Sequence, residues 1–154
     1  MKKLSLILLI LSVSNFYSQE TTKVMENVKY IYKKEQPFLH YDATKKNLDY
    51  LKSLKAESDN KSVLIFYMLS KDSIKILSGG KSIVEDRFPE STTSIRSMQS
   101  ISNLKSLEIL FFREGLAEKI MITPEDLKKY KFIYVSPRQR PIEVEFTNVL
   151  KMFW

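Results

Sequence analysis

Residues 63–69 (VLIFYML) form an apolar run with no polar interruption, and this run limits the folds that are open to the chain. Seven residues suffice for a strand but not for most helices. A strand with one exposed face would carry a polar residue at every second position, whereas this run has none, so both faces are expected to be covered. The sequence therefore predicts a strand that is packed from two sides.

The residues after this run predict a hairpin. Residues 73–77 (SIKIL) alternate between polar and apolar side chains, as a strand with one covered face does. Gly79-Gly80 follows, and both central positions of a type I′ turn need a positive φ angle, which glycine adopts freely. The chain then returns through residues 81–86. Together with the apolar run, these segments predict a three-stranded antiparallel meander over residues 62–87.

Two segments ahead of the meander have apolar residues at helical spacing. Residues 21–35 repeat them at intervals of three or four and end in two lysines before Pro37, and both features are typical of a helix end. Asp42 can cap a second helix that reaches Glu57, because its carboxylate can accept hydrogen bonds from the free N–H groups of the first turn. The sequence therefore predicts two N-terminal helices.

The second half of the chain is predicted to contain further strands and short helices. Thr123 followed by Pro124 is a strong helix start, since threonine caps a helix and proline suits its first position. Residues 89–106 are rich in serine and threonine, and Ile95, Met98 and Ile101 are spaced by three, which predicts a connecting helix. A mobile surface segment is the alternative. The predicted strands cover residues 107–112, 116–122, 132–135 and 142–146.

These elements predict the α+β class. Short links join neighbouring strands, which favours antiparallel pairing, and helices do not alternate with strands along the chain. We expect two N-terminal helices packed on a mainly antiparallel sheet of about six or seven strands, with short connecting helices. No motif is specific enough to indicate a family.

Residues 1–18 have the layout of a secretory signal peptide. Two lysines precede the apolar stretch 4–13 (LSLILLILSV), and a short polar segment follows. Even fourteen residues of helix would span only about 21 Å, against roughly 30 Å of hydrocarbon in a bilayer. We therefore expect export to the periplasm or the cell exterior, no transmembrane segment after signal removal, and a single α+β domain over residues 19–154. An uncleaved membrane tether is the alternative.

Composition excludes several classes of site. The chain has no cysteine and one histidine, which rules out disulfides, zinc–thiolate sites, cysteine nucleophiles and sites built from several histidines. We expect no metal and no cofactor. The formal net charge of +7 arises from 20 lysines and 5 arginines against 18 acidic residues. Since the two signs are interspersed and bidentate phosphate contacts favour arginine, no nucleic-acid partner is expected.

No catalytic residue can be assigned from the sequence. His40 lies two residues before the predicted cap Asp42, and a structural role is favoured over catalysis because no nucleophile motif accompanies it. Glu143 and Glu145 alternate with apolar residues and share one strand face, roughly 6.5–7 Å apart, which would suit a carboxylate pair. Such alternation is also ordinary in a half-exposed strand. The sequence favours binding over catalysis.

Two segments are candidate binding sites. The loop PRQRP places Arg138, Gln139 and Arg140 between prolines, which restrict the backbone freedom lost on binding, and its guanidinium groups could hold an anion by forked hydrogen bonds. An ordinary solvated turn is the alternative. At the C-terminus, Phe153 and Trp154 could form an apolar anchor for a partner or pack back on the sheet.

We interpret the sequence as that of a small exported protein of the bacterial envelope that binds a protein partner or a small anionic ligand. One alternative is a small hydrolase whose carboxylates and serines come together only in the folded chain, and another is an inhibitor or immunity-type partner of a secreted toxin. A deep pocket lined by acidic residues would favour the hydrolase, and a shallow apolar patch rimmed by lysines would favour a protein partner.

Overall fold

Ten strands and two short helices make up the part of the chain that the computed structural model describes, which is residues 21–25, 27–34, 45–67, 73–87, 97–113, 116–137 and 139–151. The strands, in chain order, are β1 (Thr21–Met25), β2 (Val28–Tyr32), β3 (Lys61–Phe66), β4 (Ser73–Ser78), β5 (Lys81–Arg87), β6 (Ser97–Ser102), β7 (Leu107–Arg113), β8 (Leu116–Ile122), β9 (Phe132–Ser136) and β10 (Ile142–Thr147). The helices are α1 (Lys45–Ser53), between β2 and β3, and α2 (Pro124–Lys129), between β8 and β9.

The strands of the described residues form two sheets. The six-stranded sheet has the order β1-β2-β10-β9-β3-β6, and the four-stranded sheet has the order β5-β4-β7-β8. The four-stranded sheet is antiparallel throughout. The six-stranded sheet contains two parallel pairs, β2 with β10 and β3 with β9, among its otherwise antiparallel neighbours. The predicted predominance of antiparallel pairing is therefore confirmed.

The two sheets pack face to face, and side chains from alternate strand positions fill the space between them. Ile74, Ile76 and Phe111 face inward from the four-stranded sheet, where they meet Leu64 and Phe66 of β3. All five side chains are at most 2% exposed. The rings of Phe66 and Phe111 lie 5.9 Å apart, edge to face. This layer is the larger of the two cores.

The opposite face of the six-stranded sheet is covered by α1. Leu51 of the helix packs with Val63 and Ile65 of β3 and with Phe132 and Tyr134 of β9, and each of these residues is at most 2% exposed. Strand β3 is therefore buried on both faces, which confirms the prediction made from its uninterrupted apolar run.

The prediction of a helix over residues 21–35 is wrong, because the described part of this segment forms the β1–β2 hairpin. Val28, Tyr30 and Tyr32 pack towards the core at a period of two. Ile31 lies on the opposite face and is also buried, so the apolar residues of two strand faces together imitate helical spacing. Pairing of β2 with β10, from the far end of the chain, overrides the local signal.

The predicted α+β architecture is therefore wrong. The described chain is mostly β, with two sheets instead of one and two short helices. Among the described residues, only the second of the two predicted N-terminal helices is present, and its described part covers Lys45–Ser53. Its predicted cap, Asp42, lies outside the described residues. The periodicity of the sequence indicates where most strands lie. The prediction of a single sheet is wrong because it takes strands that are neighbours in the chain to be neighbours in one sheet.

The predicted meander is divided between the two sheets. The β4–β5 hairpin is confirmed, with Gly79 and Gly80 at φ angles of 56° and 80°. Strand β3, however, pairs with β6 and β9 in the six-stranded sheet. A strand that is apolar on both faces suits a sheet covered on both sides, whereas β4 alternates and leaves one face half-exposed.

The connecting helix predicted within residues 89–106 is wrong from Ser97 onward, where the edge strand β6 is found, and residues 88–96 lie outside the described chain. Ile101 packs in the core between the sheets and Met98 packs in the α1 layer, so their spacing of three reflects opposite strand faces. The remaining predicted strands are confirmed as β7, β8, β9 and β10, each to within one residue at its ends.

Candidate functional site

The candidate site lies where α2 ends and β9 begins. Thr123 caps the start of α2, since its Oγ1 accepts a hydrogen bond of 3.2 Å from the backbone N–H of Asp126, as the sequence predicts. The helix ends after Lys129, because Tyr130 has an extended backbone that leads into β9. The chain therefore changes from helix to strand beside the first residues of the neighbouring strand β3.

Ser62 of β3 holds the end of α2 in place. Its side chain is fully buried, and the hydroxyl lies within hydrogen-bond distance of the carbonyl oxygens of Leu127 (2.8 Å) and Tyr130 (3.2 Å). Carbonyls at the end of a helix have no partner within the helix and need one from elsewhere. Ser62 supplies that partner and so fixes the helix end relative to the six-stranded sheet.

A cavity of about 170 Å³ opens beside this junction. Its wall comes from parts of the chain that are distant in sequence: the start of β3 and the turn before it, the turn after β6, the α2–β9 junction, and the segment after β10. Four of its lining residues are lysines and one is an aspartate, namely Lys61, Lys128, Lys129, Lys131 and Asp59. At neutral pH the lining therefore carries an excess of positive charge.

Lys131 is the most buried of the four lysines, with 6% of its surface exposed. Its Nζ donates hydrogen bonds to the carbonyl oxygens of Ser58 and Lys61, both at 3.0 Å. Burial lowers the pKa of Lys131, and the negative charges of Asp59 and Glu57 oppose this effect. The ammonium group is thus held at the cavity wall by two neutral carbonyl oxygens.

Two asparagines complete the polar wall. Asn148 is used at both ends of its amide, because Nδ2 donates to the carbonyl of Lys129 (3.3 Å) and Oδ1 accepts from the backbone N–H of Lys131 (2.8 Å). Asn103 is 4% exposed, and its Nδ2 donates to the carbonyl of Asp59 at 2.7 Å. Its Oδ1 is buried, and no group among the described residues donates a hydrogen bond to it.

The lining of the cavity favours an anionic occupant. Ammonium groups attract negative charge, and the attraction is stronger at a wall shielded from water than at an exposed surface. The volume lies below the roughly 300–1,000 Å³ of pockets that hold drug-sized ligands. The cavity therefore suits a small ion or the charged end of a larger molecule.

The predicted binding loop lies at the other end of β9. Arg140 uses its guanidinium within the protein, where Nη1 donates to the carbonyls of Pro137 (2.7 Å) and Gln139 (3.0 Å) and Nη2 lies 3.4 Å from the carboxylate of Glu118. The five residues of β9 separate this loop from Lys131. At the usual rise of a strand they span roughly 16 Å, so the loop and the cavity do not form one site.

The other predicted binding residues remain predictions. Gln139 is exposed, and nothing in its surroundings assigns it a ligand. Arg138 lies outside the described residues, and so do the C-terminal aromatic residues Phe153 and Trp154.

Glu143 and Glu145 share the outer face of β10, as their alternation predicts. They are engaged in separate ion pairs, Glu143 with Lys29 at 3.0 Å and Glu145 with Lys151. His40 lies outside the described residues. Within the described ranges, no three histidine, aspartate or glutamate side chains come together in a way that could hold a metal ion.

Sequence reasoning missed the cavity. Its one local signal is three lysines within residues 128–131 (KKYK), a pattern that is also typical of a helix end. Lys61 and Asn103 come from distant segments, and no local pattern connects them to this one. Only the pairing of β3 with β6 and β9 brings these residues together.

A scan of the chain against protein-family models and a search of curated proteins find no match. Among the helices of the described residues, none combines the length and the apolar character needed to cross a membrane.

Proposed function

We propose that this protein binds a small anion in the cavity at the α2–β9 junction. The observation that carries the proposal is the placement of four lysines and one carboxylate around about 170 Å³, with the Lys131 ammonium group held in the wall. Phosphate, sulfate and small carboxylates have the charge and the size for such a space, and each can accept charge-assisted hydrogen bonds from lysine.

The exposed and buried lysines contribute in different ways. Lys128 and Lys129 are exposed, so they attract an anion from solution, and dissolved salt screens this attraction. Lys131 is buried, and a buried cation is unfavourable unless opposite charge or hydrogen bonds compensate it. An anion in the cavity would add to the compensation that Lys131 receives from two carbonyls, so binding is expected to stabilise the folded protein.

We also propose that binding takes place outside the cytoplasm. The support for this part is the sequence of residues 1–18, in which a basic start, an apolar stretch and a short polar segment follow the order of a secretory signal peptide. These residues lie outside the described part of the chain.

Isothermal titration calorimetry with inorganic phosphate tests the proposed anion site. In a buffer of low salt without competing anions, we expect saturable binding at one site that weakens as sodium chloride is added. The double variant Lys128→Gln/Lys129→Gln should bind phosphate about tenfold more weakly, since it loses charged groups at the cavity.

Lys52→Gln/Lys81→Gln is the matched control. Both lysines are exposed and neither lines the cavity, yet this double variant loses the same two charges. Its phosphate affinity should change by less than about twofold. Equal weakening in the two double variants would show that phosphate responds to net charge alone. That result would overturn the proposal, as would the lack of saturable binding for phosphate, sulfate and acetate.

A further inference from the structure

Two large apolar side chains are exposed next to residues that line the cavity. Leu104 is 57% exposed and Val149 is 54% exposed, and they are the most exposed large hydrophobic residues in the described part of the chain. Leu104 directly follows Asn103, Val149 directly follows Asn148, and both asparagines line the cavity. Scattered apolar residues are ordinary on a protein surface, whereas a pair beside one charged cavity indicates a binding surface.

Matching turns hold these two apolar residues. Strands β6 and β10 both end in a hydroxyl residue, which an asparagine and then the apolar residue follow. The N–H of Leu104 donates to Oγ of Ser102 (3.4 Å), and the N–H of Val149 donates to Oγ1 of Thr147 (3.0 Å). Hydrogen bonds of this kind fix the backbone of a turn. Each turn therefore places an asparagine in the cavity wall and an apolar side chain in solvent.

Both turns lie at the same end of the six-stranded sheet. Strand β6 is antiparallel to β3, β3 is parallel to β9, and β9 is antiparallel to β10, so β6 and β10 both end where β3 and β9 begin. Three strand spacings separate β6 from β10, which corresponds to roughly 14 Å. Lys61 begins β3 and Lys131 directly precedes β9. In the order of the strands, these lysines therefore lie between the two apolar residues.

Further lysines belong to the same surface. Lys128 and Lys129 at the cavity are exposed, and so is Lys105, which directly follows Leu104. Exposed apolar side chains among lysines are typical of surfaces that bind anionic membranes, where the lysines are attracted to lipid phosphates. A single dissolved amphiphile fits less well, because its tail would lie on an open surface. A bilayer instead surrounds a protruding apolar side chain and removes it from water.

We propose that this end of the six-stranded sheet binds the surface of an anionic membrane. Leu104 and Val149 insert below the lipid headgroups, and the phosphate of one lipid occupies the cavity. This inference rests on the anion binding proposed above and names the source of the anion, a phospholipid headgroup. A space of about 170 Å³ suits a phosphate group whose lipid remains outside the opening.

A fluorophore that responds to polarity tests insertion at single positions, because the chain has no cysteine and one can be introduced for labelling. The variants are Leu104→Cys, Val149→Cys and, as the control, Phe112→Cys, since Phe112 is 43% exposed on the four-stranded sheet. With vesicles of equal parts phosphatidylglycerol and phosphatidylcholine at low salt, we expect a shift to shorter emission wavelength at positions 104 and 149 and none at 112. Phosphatidylcholine alone should give no shift at any position.

The double variant Leu104→Ser/Val149→Ser measures how much insertion contributes. Its affinity for the anionic vesicles, measured by co-sedimentation, should fall about tenfold, because two apolar side chains no longer leave water. Its affinity for inorganic phosphate should change by less than about twofold, since the cavity keeps its lysines.

Phe112→Ser/Met121→Ser is the matched control, because it replaces two exposed apolar residues of the four-stranded sheet. Its affinity for the anionic vesicles should change by less than about twofold. All variants keep residues 1–18, so any contribution of that apolar stretch is common to them. Equal loss of vesicle affinity in the two double variants would overturn the inference.

The outcomes separate this inference from the proposal on which it rests. Saturable phosphate binding without a shift at positions 104 and 149 would overturn the membrane surface and leave the anion site intact. The lack of both would overturn both. An equal shift at position 112, or with phosphatidylcholine alone, would overturn the inference because it would show unspecific adsorption. A shift with dissolved dihexanoyl phosphatidylglycerol but not with vesicles would assign the surface to a single amphiphile and overturn it as well.

Discussion

The two sheets differ in how many of their faces are buried. The six-stranded sheet lies between the four-stranded sheet and α1, and four successive residues of its strand β9 are buried. Strand β4 of the four-stranded sheet instead alternates between buried and half-buried positions along its whole length. The spacing of apolar residues along a strand therefore indicates whether one or both of its faces are covered. This can be determined from the sequence without knowing which strands pair with it.

The outer faces of the two sheets differ in chemistry as well. Beneath α1, the outer face of the six-stranded sheet is apolar and closed to solvent, and only its β2–β10 part carries ion pairs, Lys29–Glu143 and Lys151–Glu145. The outer face of the four-stranded sheet carries the ion pairs Lys75–Glu85 (3.1 Å) and Lys119–Glu108 (2.7 Å), with Phe112 exposed nearby. Exposed ion pairs contribute only about 0–1 kcal/mol each, so stability is expected to be concentrated around the six-stranded sheet.

The largest difference in stability is expected between substitutions of two phenylalanines on these outer faces. Phe132, beneath α1, is 0% exposed, whereas Phe112 is 43% exposed. Phe132→Ala should lower the free energy of unfolding by about 3–5 kcal/mol, because it leaves a cavity in a closed layer. Phe112→Ala should cost less than about 1 kcal/mol. Urea denaturation measures both, and equal losses would contradict the difference between the two faces.

A smaller change, here an increase in stability, is expected from a substitution at the C-terminal end of α1, the helix that covers the six-stranded sheet. Lys55 has a φ angle of 53°. Its N–H donates to the carbonyl of Lys52 (2.9 Å), and the N–H of Ala56 donates to the carbonyl of Leu51 (2.9 Å). This pair of bonds is a Schellman motif, in which glycine is preferred at the left-handed position. Lys55→Gly should therefore raise the free energy of unfolding by about 0.5–1 kcal/mol.

Lys52→Gly provides the control for that substitution. Lys52 lies within α1, where glycine should lower the free energy of unfolding by about 1 kcal/mol. Urea denaturation of the two variants should give changes of opposite sign. If both variants were destabilised, that result would contradict the left-handed conformation of Lys55 at the end of α1.

A pH-dependent effect is expected on the inner face, at the edge where β2 approaches α2. The hydroxyl of Tyr32 lies 3.5 Å from Oδ2 of Asp126, and burial together with that negative charge raises the pKa of Tyr32 to about 12. The unfolded chain loses this proton near pH 10, while the folded protein keeps it. The unfolded state then binds fewer protons, so this group lowers folding stability as the pH rises from about 10 to about 12.

Tyr32→Phe removes this contribution and leaves the titrating lysines in place. The stability of the unmodified protein relative to Tyr32→Phe should therefore decrease between about pH 9 and about pH 11. Urea denaturation at the two pH values measures the difference. A difference that does not change with pH would mean that Tyr32 titrates alike in the folded and unfolded chains.

The features predicted correctly from sequence are those with a local cause. Gly79-Gly80 specifies a turn because both residues adopt positive φ angles, and Thr123 with Pro124 specifies a helix start through the backbone of that same turn. The sequence predicts a helix in place of the β1–β2 hairpin because both faces of β2 carry apolar residues and its pairing partner β10 lies at the opposite end of the chain. The local pattern could not distinguish these two arrangements.

The candidate site could not be predicted in the same way. The loop around Arg140 stands out in the sequence because two arginines lie between prolines, yet the structure uses that guanidinium for carbonyls of its own loop and for Glu118. The lysine cavity has a weak local signal at residues 128–131 and takes the rest of its wall from other strands. Charge at a site depends on which segments meet there, and a linear motif does not contain that information.

The amino-acid sequence is sufficient to specify where most strands and turns lie, which faces of β3 are buried, and that no cysteine chemistry is available. These properties follow from φ preferences, from side-chain alternation and from residue types, all of which act within a few positions of the chain. The tertiary structure alone specifies that β3 and β4 belong to different sheets and that Lys61, Asn103 and Lys131 line one cavity. Strands pair through backbone N–H and C=O groups that nearly every residue shares, so the identity of the partner depends on the packing of the whole chain.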